Sequence, residues 1–238
     1  MRIKLIAVGS TKWERFIRKW GVSFLIGEDV LFDTFGNPGI FLSNIQRINI
    51  DLSRIKHIVI SHDDWDHISG LCHITDTRKN IKVYICPDFA QESKEKIRFS
   101  CVNVIEANSL LKIKDEIYTT GQIYGESEGK RKPVYEQSLI VKSSKGLTIV
   151  TGCAHPGIIN ILDNVKKQFN ENIYLVLGGL HLKDKTIGEI QEVLSKLKHY
   201  RVQKVAPLHC TGKRAEQLLK NAYNDNYISL NAGEVLEL

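Results

Sequence analysis

The sequence is poor in cysteine, proline and long apolar runs, and each shortage removes a class of protein. Five cysteines, an odd number with no Cys-x-x-Cys pair, argue against a disulfide framework and a structural zinc ribbon. Five prolines and 17 glycines without a repeat argue against collagen-like and low-complexity chains. Apolar runs such as residues 175–180 fall short of the roughly 20 residues that a membrane span needs, so no membrane partner is expected. The opening segment, MRIKLIAVGS, looks like a first strand rather than a signal peptide, and we therefore expect a cytoplasmic protein.

The composition that remains is that of an ordinary globular protein. Of the 238 residues, 42% are hydrophobic and 25% are charged, which is enough to bury a sizeable core. The net charge of +6 comes from lysines and arginines scattered along the chain, and they form no basic helix or stripe. A solvated surface explains this pattern better than a nucleic-acid partner does, although a phosphorylated small substrate could exploit the positive field.

Hydrophobic periodicity predicts a strand-rich first half and an alternation of strands and helices in the second half. The strands of the first half have antiparallel-looking spacings, and mixed sheets covered by helices fit the order of elements. Strands are predicted at residues 3–8, 23–26, 30–33, 57–61, 82–86, 102–105, 117–120, 138–142, 147–151, 174–177 and 204–207. Helices are predicted at residues 38–48, 87–97, 157–169, 187–200 and 213–222, with a polar loop at residues 125–133. The aromatic residues Trp13, Phe16 and Trp20 are expected to pack in a core, in preference to a pocket or a subunit contact.

The most informative stretch follows the strand predicted at residues 57–61. Within six residues it contains His62, Asp64, Asp66 and His67. An acidic loop after a strand is common, and aspartate often caps the following helix. Side chains packed this tightly would repel one another without a cation between them, and imidazole with carboxylate is the ligand set of catalytic zinc, manganese or iron. We therefore favour a metal site over a solvated loop.

Three later segments share one form, in which a hydrophobic strand runs into a histidine-bearing turn. They contain Cys153 with His155, His181 after a pair of glycines, and His209 with Cys210. For any one of these segments, a histidine satisfied by a nearby carbonyl is the simpler explanation. Because the ends of adjacent strands meet at one sheet edge, four such ends in one chain predict a shared site.

The motif at residues 62–67 resembles the His-x-His-x-Asp-His signature of the metallo-β-lactamase superfamily, and Asp33 matches an aspartate upstream of it. The segments Thr-Gly-Cys-Ala-His-Pro-Gly, Gly-Gly-Leu-His-Leu and Pro-Leu-His-Cys-Thr-Gly resemble the branch named for the dihydropterin ribofuranosylaminobenzene phosphate synthase. Most members of that branch are known only as metal-dependent hydrolases. The resemblance implies one domain over residues 1–238, with an α/β (α+β) fold: a four-layer αββα sandwich of two mixed sheets flanked by helices.

The resemblance also implies two divalent metal ions at one sheet edge, with ligands from several strand ends. His62 and Asp64 would serve one ion, and Asp66, His67 and His209 the other.

Two further positions leave alternatives open. Cys153 stands where many relatives have a bridging aspartate, and either it or His155 contacts a metal, with His155 favoured. Asp64 stands where the signature normally has histidine, and a carboxylate there favours manganese or iron over zinc. The same substitution could equally mark a site that holds one ion or none.

These residues predict a metal-dependent hydrolase or group-transfer enzyme that uses a metal-activated water on a small, phosphorylated or pterin-like metabolite. Asp66 is expected to orient the water and shuttle its proton, and His181 either to contact the substrate or to orient a ligand. An alternative, motivated by Asp64 and Cys153, is a non-catalytic or redox metal module of the di-iron kind. A phosphodiesterase or nuclease of the same fold is a third hypothesis, which the basic charge favours and the lack of room for a substrate-binding arm opposes.

Overall fold

The computed structural model describes residues 1–75, 80–101, 103–125 and 133–238. In these ranges the strands are β1 (Arg2–Gly9), β2 (Gly21–Ile26), β3 (Val30–Phe32), β4 (His57–Val59), β5 (Lys82–Ile85), β6 (Asn103–Glu106), β7 (Leu111–Lys114), β8 (Ile117–Thr119), β9 (Ile123–Gly125), β10 (Val134–Glu136), β11 (Leu139–Ser143), β12 (Gly146–Thr151), β13 (Ile173–Gly179), β14 (Lys204–Leu208) and β15 (Val235–Glu237). The α-helices in the same ranges are α1 (Lys12–Phe16), α2 (Pro38–Arg47), α3 (Trp65–Ile68), α4 (Cys72–Thr75), α5 (Gln91–Ser100), α6 (Ile158–Gln168), α7 (Ile187–His199) and α8 (Lys213–Tyr223).

Two large mixed sheets form the centre of the fold. The first has the strand order β15-β1-β2-β3-β4-β5-β6, and the second has the order β14-β13-β12-β11-β8-β7. In the first sheet β1 to β3 are antiparallel, whereas β3 to β6 are parallel. The antiparallel expectation for the first half is therefore wrong for β3 to β6, because the connections between them are long enough to cross over.

The sheets pack face to face, and helices cover their outer faces. Apolar side chains of both sheets, such as Phe24 and Leu177, share one buried cluster between them. Helices α2 and α5 cover the outer face of the first sheet, and α6, α7 and α8 cover that of the second. Ile190, Leu194 and Leu197 of α7 face this outer core, as their helical period predicts. Ile187, at the first position of the helix, is 52% exposed, so the core expectation is wrong for it. The predicted four-layer αββα architecture is confirmed.

Several local predictions differ from the structure for tertiary reasons. Helix α5 begins at Gln91 rather than at residue 87, because side chains from other segments accept the N–H groups of Asp88 and Ala90. Trp13 and Phe16 are 67% and 79% exposed, so the core expectation is wrong for them. Position 102 of the strand predicted at 102–105, and residues 126–132 of the polar loop, lie outside the described residues. None of the helices in the described ranges combines the length and the apolar character that crossing a membrane requires.

Candidate metal centre

The four histidine-bearing turns meet at one edge of the sandwich. Strands β12, β13 and β14 are parallel neighbours, so the turns that follow them lie side by side. The turn after β4 approaches from the facing sheet. Gly152 makes that approach possible, because a Cβ there would overlap the Ser61 side chain.

The predicted ligands form two compact groups. In the first, one ligand atom from each of His62, Asp64 and His155 lies within 4.8 Å of the others. In the second group, one ligand atom from each of Asp66, His67 and His209 likewise lies within 4.8 Å of the others.

Cys153 lies between these groups. With His62 and His67 it makes a third set of atoms within 4.8 Å, and its Sγ is 3.5 Å from His67 Nε2. A further set joins Cys153 to His155 and His181, whose two imidazole centroids are 4.5 Å apart. Cys153 and His155 therefore lie close together at the centre, and His181 lies beside His155 of the first group.

The histidines that follow β4 are oriented by one buried aspartate. Asp33 Oδ2 accepts a hydrogen bond from His67 Nδ1 at 2.6 Å and another from Ser61 Oγ at 2.7 Å. Because the Ser61 hydroxyl gives its proton to Asp33, its oxygen accepts from His62 Nδ1 at 2.8 Å. Both rings thus have their Nδ1 atoms fixed, and both have Nε2 left as the inner nitrogen.

Two other acceptors orient the remaining histidines in the same way. Glu136 Oε2 accepts from His155 Nδ1 at 2.9 Å, and the Gly9 carbonyl accepts from His209 Nδ1 at 2.8 Å. Glu136 is 1% exposed and also accepts the backbone N–H groups of Cys153, Ala154 and His155. Burial opposes the ionised form of Glu136, but the nearby His62 and His155 rings and these N–H groups hold its pKa well below the usual range.

The inner nitrogens fit a divalent cation. Nε2 of His62 and Nε2 of His209 are buried and have no hydrogen-bond partner among the described residues. A buried polar atom without a partner is costly, and imidazole nitrogens beside carboxylates are typical metal ligands. Fixing Nδ1 by a carboxylate or carbonyl is also the usual support of a metal-bound histidine.

In the second group, the Asp66 carboxylate is stabilised by positive charge on the neighbouring imidazole of His67. Burial opposes the ionisation of Asp66, but the charge of His67 and the close contacts of the Asp66 carboxylate with the imidazoles of His209 and His67 outweigh it and hold the Asp66 pKa well below its usual range. Burial also opposes the protonation of His67, but the carboxylates of Asp66 and Asp33 outweigh it and raise the His67 pKa well above its usual value. A metal ion between Asp66 and the imidazoles would stabilise the Asp66 carboxylate in the same way.

Two cavities open onto this centre. One, of about 210 Å³, is lined by Asp66, Cys153 and Trp20 among others. A neighbouring cavity of about 390 Å³ lies beside it, and His155 and His181 line both. His181 is therefore placed where a substrate in either cavity could contact it.

Sequence reasoning missed two residues of this region. Glu136 follows a Val-Tyr pair in β10 that carries no functional signal. The one available clue is that strand alternation puts this charged residue on the same face as a buried valine, where charged residues are rarely found without a partner. Trp20 was expected in a core, and it is 6% exposed as expected. It packs, however, on the site itself, with its ring centroid 4.6 Å from that of His209.

Comparisons with known proteins bear on the family and the fold of this chain. The family model of the metallo-β-lactamase superfamily matches residues 21–99. The 7,8-dihydropterin-6-methyl-4-(β-D-ribofuranosyl)-aminobenzene-5′-phosphate synthase of Methanocaldococcus jannaschii is 28% identical, over 93% of this chain and 91% of that protein. The crystal structure of Tm1679, a metal-dependent hydrolase of the β-lactamase superfamily, is 27% identical with a TM-score of 0.80, covering 100% of this chain and 99% of that chain. The metallo-β-lactamase fold protein YhfI of Bacillus subtilis shares the fold, with 13% identity, a TM-score of 0.69 and 99% of both chains covered.

Proposed function

We propose that this chain is a metal-dependent hydrolase or group-transfer enzyme of the metallo-β-lactamase superfamily, whose family model matches residues 21–99. The observation that carries the proposal is the common orientation of four histidines. His62, His67, His155 and His209 each have Nδ1 hydrogen-bonded to an outer acceptor, so that Nε2 is the atom left for the centre. Such an arrangement is costly to build for packing alone and is suited to holding cations.

We assign the ligands by their grouping. His62, Asp64 and His155 would hold one divalent ion, and Asp66, His67 and His209 the other. Cys153 lies within reach of both groups. Zinc, manganese and iron are the candidate metals, because imidazole suits all three, the thiol favours zinc, and the carboxylates favour manganese. When bound, such a metal polarises the bond under attack and supplies an acidified water as the nucleophile.

The chain's own side chains would position the reactants. Asp66 stays ionised at the edge of the smaller cavity, so it can accept a hydrogen bond from a water there and orient it. His181 lines both cavities and is assigned to contact the substrate. Because Asp33 and Glu136 lie behind the ring nitrogens of His67 and His155, they act as positioning residues.

The substrate we propose is a small metabolite, phosphorylated or pterin-like. Cavities of about 210 and 390 Å³ suit a small molecule. The name of the M. jannaschii relative, the synthase of a phosphorylated dihydropterin compound, supports this class for the present chain. Proteins with the same metal ligands act on different substrates, so the substrate class is tested directly.

The test is loss of function on removal of an inner nitrogen. His67→Ala and His62→Ala are compared with the wild type on a panel of phosphodiesters, phosphate monoesters and esters, with bound metal measured by elemental analysis. His199→Ala, at the exposed end of α7, is the matched control. We expect both site variants to lose metal and activity while circular dichroism shows the fold retained, and the control to behave as the wild type. Metal-replete site variants with wild-type activity would refute the proposal.

A further inference from the structure

The mouth of the smaller cavity contains two cations that the metal centre does not need. The guanidinium carbon of Arg15 is 5.9 Å from the centroid of the Trp20 ring, and Lys183 Nζ is 5.3 Å from the same ring. Both residues line the cavity together with Asp66. Two positive groups near one indole ring, beside a centre that would itself bind cations, need a physical explanation.

The segments that present these cations are held in place. Helix α1, which contains Arg15, begins with a capping box between Thr11 and Glu14. The Lys183 N–H donates to the Cys210 carbonyl at 3.3 Å. Gly212 packs so closely that a Cβ there would lie 2.6 Å from the Lys183 Cα. The backbone positions are thus fixed, although both side chains end at the surface.

Arg15 and Lys183 are incompletely ion-paired, although the carboxylates of Asp64, Asp66 and Asp184 also line the cavity and Asp64 lies beside His62. Among the described residues, no carboxylate oxygen lies within 4 Å of the Arg15 side chain, and Lys183 has only Asp184, at 3.8 Å. The Asp184 side chain is 68% exposed, so water screens that pair. The Asp66 carboxylate faces the imidazoles of the centre instead. The indole ring attracts each cation, but it neutralises neither, so both positive charges remain available to an anion in the cavity.

We propose that Arg15 and Lys183 form an oxyanion-binding pair that selects substrates with a phosphate monoester. Two cations complement a dianion better than a monoanion, and a guanidinium can bind two phosphate oxygens at once. Bound phosphate neutralises both charges and places the rest of the molecule in the cavity beside Asp66. This inference rests on the proposed function, since it names the residues that recognise the substrate of that site.

Equilibrium binding tests the pair without requiring turnover. Metal-loaded full-length protein is titrated calorimetrically with phenyl phosphate, a dianion, benzenesulfonate, a monoanion, and benzyl alcohol, which is neutral. The variants are Arg15→Gln, Lys183→Gln and the double variant. Lys12→Gln is the matched control, because Lys12 is an exposed cation on the same helix that does not line the cavity.

We expect each single variant to weaken phenyl phosphate binding about tenfold, as the loss of one charge-assisted contact implies. The double variant should lose more, benzenesulfonate should lose less than phenyl phosphate, and benzyl alcohol and the Lys12→Gln protein should be unchanged. Absence of phenyl phosphate binding to the wild type, equal losses for the three probes, or an equal loss in Lys12→Gln would overturn the inference. A protein that binds phenyl phosphate in this pattern but hydrolyses no member of the ester panel would refute hydrolysis as the reaction and leave the binding pair standing.

Discussion

Replacing Glu136 by glutamine tests whether a single buried carboxylate supports the turn after β12. The two carboxylate oxygens accept four hydrogen bonds, from the backbone N–H groups of Cys153, Ala154 and His155 and from His155 Nδ1, at 2.8 to 2.9 Å. Glutamine has nearly the same shape and so leaves no cavity. It replaces one accepting oxygen by an amide that only donates.

The expected loss follows from those contacts. Either orientation of the amide leaves two of the four donors facing another donor in a buried place. Hydrogen bonds to a charged group are worth about 1.5–3 kcal/mol each, and the two that survive lose their ionic partner. Allowing for relaxation, we expect the free energy of unfolding to fall by about 3–5 kcal/mol, the range found when one partner of a buried charged network is removed. The change also frees the His155 ring, so metal affinity should fall.

Urea unfolding of chelator-treated protein at pH 7 measures the first quantity, and competition with a chromogenic chelator measures the second. Glu216→Gln is the control. Burial raises the pKa of Glu216, despite the nearby charge of Lys213, so neutralising that half-buried carboxylate should cost little. If Glu136→Gln were as stable as the wild type to within about 1 kcal/mol, the carboxylate would not support the turn as we argue.

Three further predictions concern neighbouring positions. Asp33→Asn should lower metal affinity about 10–100-fold in chelator competition, because an amide in place of the carboxylate weakens the support of His67 Nδ1; unchanged affinity would contradict this. Gly152→Ala should destabilise the protein by about 1–3 kcal/mol in urea unfolding, because its methyl group would overlap the serine that follows β4. The control is Gly188→Ala in α7, where an added Cβ would have no atom within 4 Å, so this change should be neutral or slightly stabilising. Equal effects of the two glycine substitutions would contradict the packing argument. Cys153→Ser should weaken zinc binding more than manganese binding, because it removes the soft donor, and equal losses would argue against a thiolate ligand.

The candidate site was predictable where its signal is local to the chain. A hydrophobic strand that runs into a histidine turn is visible in sequence, and the parallel order of β12, β13 and β14 brings three such turns together. The closeness of His62 and His155, whose ring centroids are 4.6 Å apart, depends on one sheet packing on the other. No local pattern encodes that distance.

The parts that were missed depend on contacts distant in sequence. Glu136 acts on a turn that lies 17 to 19 residues further along the chain, so its own neighbours give no sign of its partners. The segment around Trp20 can be recognised as aromatic, but the side that the Trp20 ring faces is set by packing on His209. Hydrophobicity alone therefore placed Trp20 correctly and Trp13 wrongly.

Asp64 follows a strand, and an acidic residue there can either cap the next helix or contribute to a metal site. It occupies the N-cap position of α3, where an aspartate usually accepts a backbone N–H, yet its side chain makes no capping hydrogen bond. Its carboxylate instead lies 3.8 Å from His62 Nε2, and its side chain remains 30% exposed at the cavity. A capping role would turn the carboxylate toward the helix, whereas a ligand role needs it beside the inner nitrogens. The side chain has the second orientation, which supports our proposal that Asp64 is a ligand of the first group, harder and more anionic than the histidine that the family signature has there.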